Sequence, residues 1–333
     1  MTSSVAVSVV VPTYNRPALL RRCLTALLAQ DFDPATYEII VVDDAVCATT
    51  RQLVAELANT AKCAGQNAPA KPALRYLPMS EKHGPAAARN SGWRAARGTI
   101  VAFTDDDCVP APGWLQSGSA AFVNGVVGVS GQVVVPLPDR PTDYEQNHAG
   151  LSRSEFVTAN CFYRRDALAT VGGFDERFTT AWREDSDLFF TLLERRSHLV
   201  HAPEAIVEHP VRPAAWGISL MQQQKSMFNA LLYKKHPQLY RRRLPPVTPW
   251  HYYAIVTALA TALGGCIGGR RRLALGACAV WLLLTGRFCR RRLRETAHTP
   301  RHIAEMIVTS ILIPPLAIFW RIRGALKFRV VFW

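Results

Sequence analysis

What this chain lacks narrows the reading first. Its eight cysteines, at 23, 47, 63, 108, 161, 266, 278 and 289, include no C-x-x-C pair, which excludes the usual zinc-ribbon and thioredoxin-type spacings and reads as reduced, structural thiols. The N-terminal MTSSVAVSVVVPTYN lacks a basic n-region, and its short apolar run leads straight into a turn. It does not resemble a signal peptide, so the domain that follows is expected to stay in the cytoplasm. No repeat of twenty to fifty residues is visible. Acid is nearly missing from one region: residues 241–333 carry 16 basic and 2 acidic side chains, whereas residues 1–240 carry 23 of each. The whole formal charge of +14 therefore comes from the tail. That tail is also apolar, and Arg clusters between long uncharged runs suit an anionic bilayer surface. A nucleic-acid partner is not expected, because it would call for Lys and Arg along a polar face with aromatics between them.

A chain of 333 residues accommodates one large domain with something appended. Val5–Val11 and Glu38–Val42 read as β-branched strands separated by an amphipathic segment, Ala18–Ala29. Thr99–Thr104 follows a helical segment, Pro85–Ala96, so strands and helices alternate as in an open parallel sheet. Ligands bind such sheets at the carboxyl ends of the strands. Three strand ends carry polar groups: Pro12-Thr13-Tyr14-Asn15, Asp43-Asp44 and Asp105-Asp106-Asp107. Asn59–Pro72 and Pro136–Pro141 read as surface loops and not as boundaries; the one border lies near Arg241–Pro246. The expected organisation is a domain over 1–215, a helical linker with a basic patch over 216–248, and membrane-associated helices over 249–333. Trp250–Gly269 has no charged residue across twenty positions, enough to span a hydrocarbon core of about 30 Å. Leu273–Gly286 is shorter, so the two form a hairpin or a re-entrant pair. Ile303–Trp320 contains Glu305 and Pro314-Pro315, and fits an interfacial or re-entrant element as well as a span.

Three consecutive carboxylates repel one another unless a cation compensates them. A divalent metal held by one or two carboxylates and by substrate phosphates is the natural arrangement, with Mg²⁺ or Mn²⁺ as the ion. The structural alternative is an acidic turn or helix cap.

Together VSVVVPTYNR at 7–16, VVDD at 41–44, GPAAARNSGWRAARG at 84–98, FTDDDC at 103–108, GGFDERF at 172–178 and WREDSDL at 182–188 resemble the family 2 glycosyltransferases. The likeness runs over roughly residues 5–210. It implies the GT-A fold, a Rossmann-like α/β domain with a mostly parallel sheet and flanking helices, here followed by membrane-associated helices. It further implies an inverting transfer from a nucleotide-sugar, a UDP-sugar most commonly, to a hydroxyl of a glycan or lipid-linked acceptor at the cytoplasmic face. By resemblance, Pro12, Tyr14 and Asp44 hold the nucleoside, Arg89 lies near the nucleotide, and Asp105-Asp106-Asp107 corresponds to the D-x-D signature. In that signature Asp107 is the most direct metal ligand, Asp105 reaches ribose or metal, and Asp106 joins Asp105 among the nucleotide-sugar contacts. His209 completes the metal's coordination, takes part in phosphate binding or serves structure. Asp185 matches the catalytic base, with Asp187 the alternative by position. Asn160, Trp182 and Glu184 resemble acceptor-side positions. Gly172-Gly173-Phe174 is expected to form a turn with a buried aromatic.

Competing readings fit less well. A nucleotidyltransferase would open with a Gly-rich basic phosphate loop, which VVPTYNR is not. A processive polysaccharide synthase would carry Q-x-x-R-W, of which MQQQKSMF at 221–228 is only a loose echo. A catalytically silent membrane-associated sugar-nucleotide-binding protein would not be expected to keep Asp44, Asp105, Asp107 and Asp185.

Overall fold

The computed structural model describes residues 5–63, 72–80, 83–244 and 248–332. Along the chain run β1 (Val7–Thr13), α1 (Pro17–Leu28), β2 (Tyr37–Asp43), α2 (Ala48–Cys63), β3 (Ala73–Pro78), α3 (Pro85–Ala95), β4 (Ile100–Phe103), β5 (Val109–Pro110) and α4 (Trp114–Ala120). Then come β6 (Val126–Val134), α5 (Asp143–His148), β7 (Cys161–Arg164), α6 (Arg165–Val171), α7 (Glu184–Glu194) and β8 (His198–Glu208). The last part is helical: α8 (Ile218–Gln222), a 3-10 turn over Gln223–Ser226, α9 (Met227–Lys235), α10 (Pro237–Arg243), α11 (Trp250–Ile267), α12 (Arg271–Leu293) and α13 (Pro300–Phe328).

These elements group into two compact units. One comprises residues 1–136 and 150–210; the other, residues 137–149 and 211–333.

In the first unit the strands form one sheet in the order β3-β2-β1-β4-β7-β6-β8-β5. The pairs β2–β3, β1–β2, β1–β4 and β6–β8 are parallel, while β4–β7, β6–β7 and β5–β8 are antiparallel. The expected alternation therefore holds from β1 to β4, after which the sheet is mixed. β2 is buried along its whole length, as the unbroken run Tyr37–Val42 requires of a strand covered on both faces. α1 buries Leu20, Cys23, Leu24 and Leu27, a helical-period stripe set against the core of Val7, Val9, Val11, Ile39 and Val41. α2 runs on to Cys63, so the first part of the loop expected over Asn59–Pro72 is helical; residues 64–71 lie outside the described residues.

In the second unit three helices, α11, α12 and α13, are long and apolar enough to cross a membrane by length and composition. α12 extends well beyond the expected Leu273–Gly286, because Arg is a good helix former and does not end a helix. α13 continues through Pro314-Pro315 over 29 residues. Both prolines lack an N–H, but Pro314 is buried within this unit, and packing outweighs the local penalty. Leu137–Ala149 belongs here as well, although Pro136–Pro141 carried no sign of a boundary. Thr142 and Glu145 close a capping box at the start of α5. The Asp143 carboxylate accepts from Arg292 at 2.7 and 3.2 Å, and Arg292 also donates to the Thr309 and Ser310 hydroxyls at 2.7 and 3.1 Å. The expected 216–248 linker forms α8 to α10 of the same unit; Pro245 and Pro246 of the expected border lie outside the described residues.

Candidate active site

The polar strand ends converge at the carboxyl edge of β1, β2 and β4. Parallel register sets Thr13 beside Asp43 and carries β4 to Phe103 opposite Val10. The acidic triplet therefore emerges level with the end of β1. Thr13 donates to Asp106 at 2.7 Å and Arg16 reaches it at 3.2 Å. Burial pushes the Asp106 carboxyl up to about 6, so this member of the triplet ties the strand end to its loop. Both of its oxygens are engaged there, Oδ2 by Thr13 and Oδ1 by Arg16.

Asp44 accepts from the backbone N–H groups of His83 and Gly84, at 2.8 and 2.9 Å. This clamps the end of β2 to the start of α3. Gly84 has φ +91°, and a Cβ there would lie 2.6 Å from the Thr179 carbonyl oxygen. The turn therefore demands glycine. Pro12 is partly buried near the end of β1, and Tyr14 is exposed just beyond it.

A metal is tested by the donors present. Asp107 and His209 are both buried, with Asp107 Oδ1 3.6 Å from His209 Nε2. His209 Nδ1 is buried without a hydrogen-bond partner, which is costly unless something else engages the ring. Asp107, Cys108 and His209 bring ligand atoms within 4.8 Å of one another. Burial raises the Cys108 thiol well above its ordinary range, so it stays protonated. The Asp107 carboxylate and the His209 imidazole are donors that fit a divalent cation.

The acid turn is joined to α7 by one buried guanidinium. Arg89, on α3 and 2% exposed, donates Nη2 to Asp105 at 2.7 Å and Nη1 to Glu184 at 2.9 Å. Arg89, expected near the nucleotide, has both terminal nitrogens engaged by carboxylates. One cation between the buried Glu184 and the half-buried Asp105 compensates only one negative charge. The two acids divide accordingly. Burial opposes ionisation of Asp105, yet the adjacent Arg89 holds its carboxyl below the ordinary range. At Glu184 burial prevails over Arg89 and the carboxyl rises to about 7; its Oε2 is buried with no partner.

Asp185 follows in the first turn of α7, where acid suits the helix dipole. Its carboxyl is raised by burial, offset in part by the Ser186 N–H at 2.6 Å. A raised carboxylate accepts a proton more readily near neutral pH. Asp187 is 2% exposed, further from solvent than Asp185.

Of the expected acceptor-side residues, Trp182 is 39% exposed, with the Arg183 guanidinium 4.8 Å over its ring. Glu184 is 2% exposed and turned to Arg89, so it does not face an acceptor. Asn160 is 1% exposed; its amide accepts from Trp114 and donates to the carbonyls of Gln132 and Ala205. It is a sheet-locking residue. Asn90 had no assigned part, yet it bonds both backbone groups of Phe174 and accepts from Trp93. It pins the Gly172-Gly173-Phe174 turn, whose glycines have φ +83° and +77°. Its only signal in the sequence is its place next to Arg89.

Comparisons with known proteins bear on the family and the fold. The sequence model described as "Glycosyl transferase family 2" matches residues 8–184, and "Glycosyl transferase family group 2" matches residues 101–320. Glycosyltransferase AglE of Haloferax volcanii is 30% identical over 64% of this chain and 70% of its own length. Pre-mycofactocin glycosyltransferase of Mycobacterium tuberculosis is 31% identical over 62% of this chain, which spans only 43% of that relative. Among solved structures, mannosyltransferase PcManGT from Pyrobaculum calidifontis, in complex with GDP-Man and Mn²⁺, superposes with a TM-score of 0.63 at 23% identity, covering 98% of this chain and 88% of that one. At that identity the likeness bears on the fold alone. A family match over more than half the chain, on a mixed GT-A sheet with three apolar C-terminal helices that fit a membrane-associated region, makes this an enzyme and places it in glycosyl transferase family 2.

Proposed function

We propose that the chain is an inverting, metal-dependent glycosyltransferase that moves a sugar from a nucleotide-sugar, a UDP-sugar in the first instance, to a hydroxyl of a lipid-linked or cell-surface glycan. The observation that carries the reading is the Asp105–Arg89–Glu184 bridge, which sets the acidic turn of β4 beside the first turn of α7. Pro12, Tyr14 and Asp44 would hold the nucleoside, with Asp44 keeping the β2 and α3 loops in register. Asp107, Asp105 and His209 would hold the cation. When bound, a divalent cation supplies positive charge against the leaving diphosphate.

Asp185 is the base. The acceptor hydroxyl attacks the anomeric carbon and gives its proton to the Asp185 carboxylate. The bond from that carbon to the phosphate oxygen breaks, and the nucleoside diphosphate leaves with the electron pair. One in-line displacement inverts the anomeric centre without a covalent enzyme intermediate. Trp182 offers an exposed aromatic plane for a sugar face. The apolar tail supports a membrane location, with the catalytic domain at the cytoplasmic face.

Release of free nucleoside diphosphate from a panel of UDP- and GDP-sugars, with and without Mn²⁺, tests the reading. Turnover of one donor, lost on chelation, is expected. Turnover of none, with acceptor-bearing membrane lipid present, would leave only a silent binding protein.

A further inference from the structure

The 29-residue helix α13 satisfies the length and composition of a span. What lies along it argues otherwise. Trp216–Lys235 follows this helix from end to end. Gly217 N–H donates to Glu305 at 2.7 Å near its start. A Cβ on Gly324 would lie 2.5 Å from the Met227 carbonyl oxygen near its far end, and Lys234 reaches the Phe328 carbonyl at 2.8 Å on its last turn. Between these contacts the covering chain reads Gln222-Gln223-Gln224-Lys225, part of it a 3-10 turn that packs on α13. A third of the way along, Thr309 and Ser310 accept from Arg292, which is paired with Asp143.

If α13 crossed a bilayer, this covering chain would have to cross with it. Three glutamines, a lysine, a 3-10 turn and the Asp143–Arg292 pair would then sit at hydrocarbon depth, where charged side chains and irregular backbone are costly. The two sides of α13 fit a different placement. His302, Met306, Thr309, Ser310, Ile313, Ala317, Arg321 and Gly324 are buried on the protein side. Ile307, Val308, Leu312, Phe319, Ile322 and Leu326 are exposed. At about 100° per residue these six fall within roughly 140° of the helix circumference. Arg301, Arg323, Lys327 and Arg329 are exposed as well, and long basic side chains near an apolar face reach for phosphates.

We infer that α13 lies in the plane of one leaflet of an anionic bilayer, its six-residue apolar face in the acyl chains and its basic side chains at the headgroups, so that it does not span. The pair α11 and α12, joined at the exposed Arg270-Arg271-Arg272, is left as the element that penetrates.

The test uses the full chain in phosphatidylglycerol–phosphatidylcholine vesicles. A fluorescent amino acid replaces Ile307, Leu312, Phe319 or Leu326 in turn and is quenched by lipids brominated near the headgroup or deep in the acyl chain. An in-plane helix gives one shallow profile at all four positions. A span gives shallow quenching at 307 and 326 and deep quenching at 312 and 319, which would overturn the inference. Because each probe replaces an exposed residue, folding of the helix is retained. As a second readout on the otherwise unaltered chain, protease-accessible tags at the two termini are expected on the same face of sealed vesicles; tags on opposite faces would contradict a non-spanning α13. Neither readout depends on turnover, so a failure here is distinct from a failure of the proposed reaction.

Discussion

Two buried glutamates, one at each end of the same sheet, show how this fold separates structure from chemistry. Glu38, at the start of β2 and 0% exposed, accepts from the Ser8 hydroxyl, the Arg75 guanidinium and the Arg97 N–H. Burial works against its charge, but these donors together hold its carboxyl below the ordinary range. Glu184, at the carboxyl edge, accepts from Arg89, and its Oε2 is buried without a partner. Its carboxyl rises to about 7. Both residues pair with arginine, yet they titrate in opposite directions. The difference is saturation: a fully bonded carboxylate locks the amino edge of the strands, whereas an under-bonded one sits where the fold places Asp105, Asp107 and Asp185. Strain left unrelieved at a strand end is what a site needs and what a foundation cannot carry.

If the two edges differ in this way, substitutions at each should move different observables. The largest effect belongs to the carboxyl edge. Asp107→Ala should lower kcat by about 10³-fold, in the range for losing one preorganised electrostatic partner, while the melting temperature stays at or above the parent's; a variant that melts early would move Asp107 to the structural class. Asp185→Asn should cost about 10²- to 10³-fold in kcat with the donor KM nearly unchanged, as expected for a general base, read by steady-state transfer assays. At the other edge Glu38→Ala should cost roughly 3 kcal/mol of stability, because it leaves the Ser8 hydroxyl without its acceptor and Arg75 without its counter-charge, with kcat per folded molecule preserved. Urea unfolding combined with active-site titration checks both halves.

The smallest effect is the most diagnostic. Glu184 has a raised folded pKa, so its contribution to stability is fully present below the ordinary carboxylate value near 4.5 and is lost as pH rises to about 7. Glu38 is depressed and runs the other way: its contribution is present above about 4.5 and fades as pH falls through its folded value. Glu184→Gln should therefore flatten the decline in stability between pH 4.5 and 7 that the parent shows. An unchanged slope in that variant would mean that Glu184 is ionised throughout and that the two edges do not differ.

Much of this was legible in the sequence because it is local. The β-branched runs, the acids that end them and the spacing of the six motifs required no knowledge of distant contacts, and β1, β2, β4 and the start of α7 lie close to where those patterns put them. Non-local relations were hidden. Arg89 reads as a group near the nucleotide until α3 is seen to bury it between carboxylates 16 and 95 positions away. Asn160 reads as a polar group free for a sugar until Trp114 and two carbonyls consume its amide. Leu137–Ala149 gives no sign of grouping with the tail, because what anchors it, Arg292, lies 149 positions beyond Asp143. At Pro314-Pro315 the local rule for proline is right about cost and wrong about outcome, since burial inside a helical unit holds the helix together.

The central claim is that the carboxyl edge is a metal-dependent nucleotide-sugar site with separable binding and base functions. Calorimetric titration of UDP and GDP into the parent, Asp107→Ala and Asp185→Asn, each with and without Mn²⁺, tests it most directly. The account predicts that the parent and Asp185→Asn bind one nucleotide only when Mn²⁺ is present, and that Asp107→Ala binds at least tenfold more weakly. Equal binding with and without the metal, or full binding by Asp107→Ala, would contradict it.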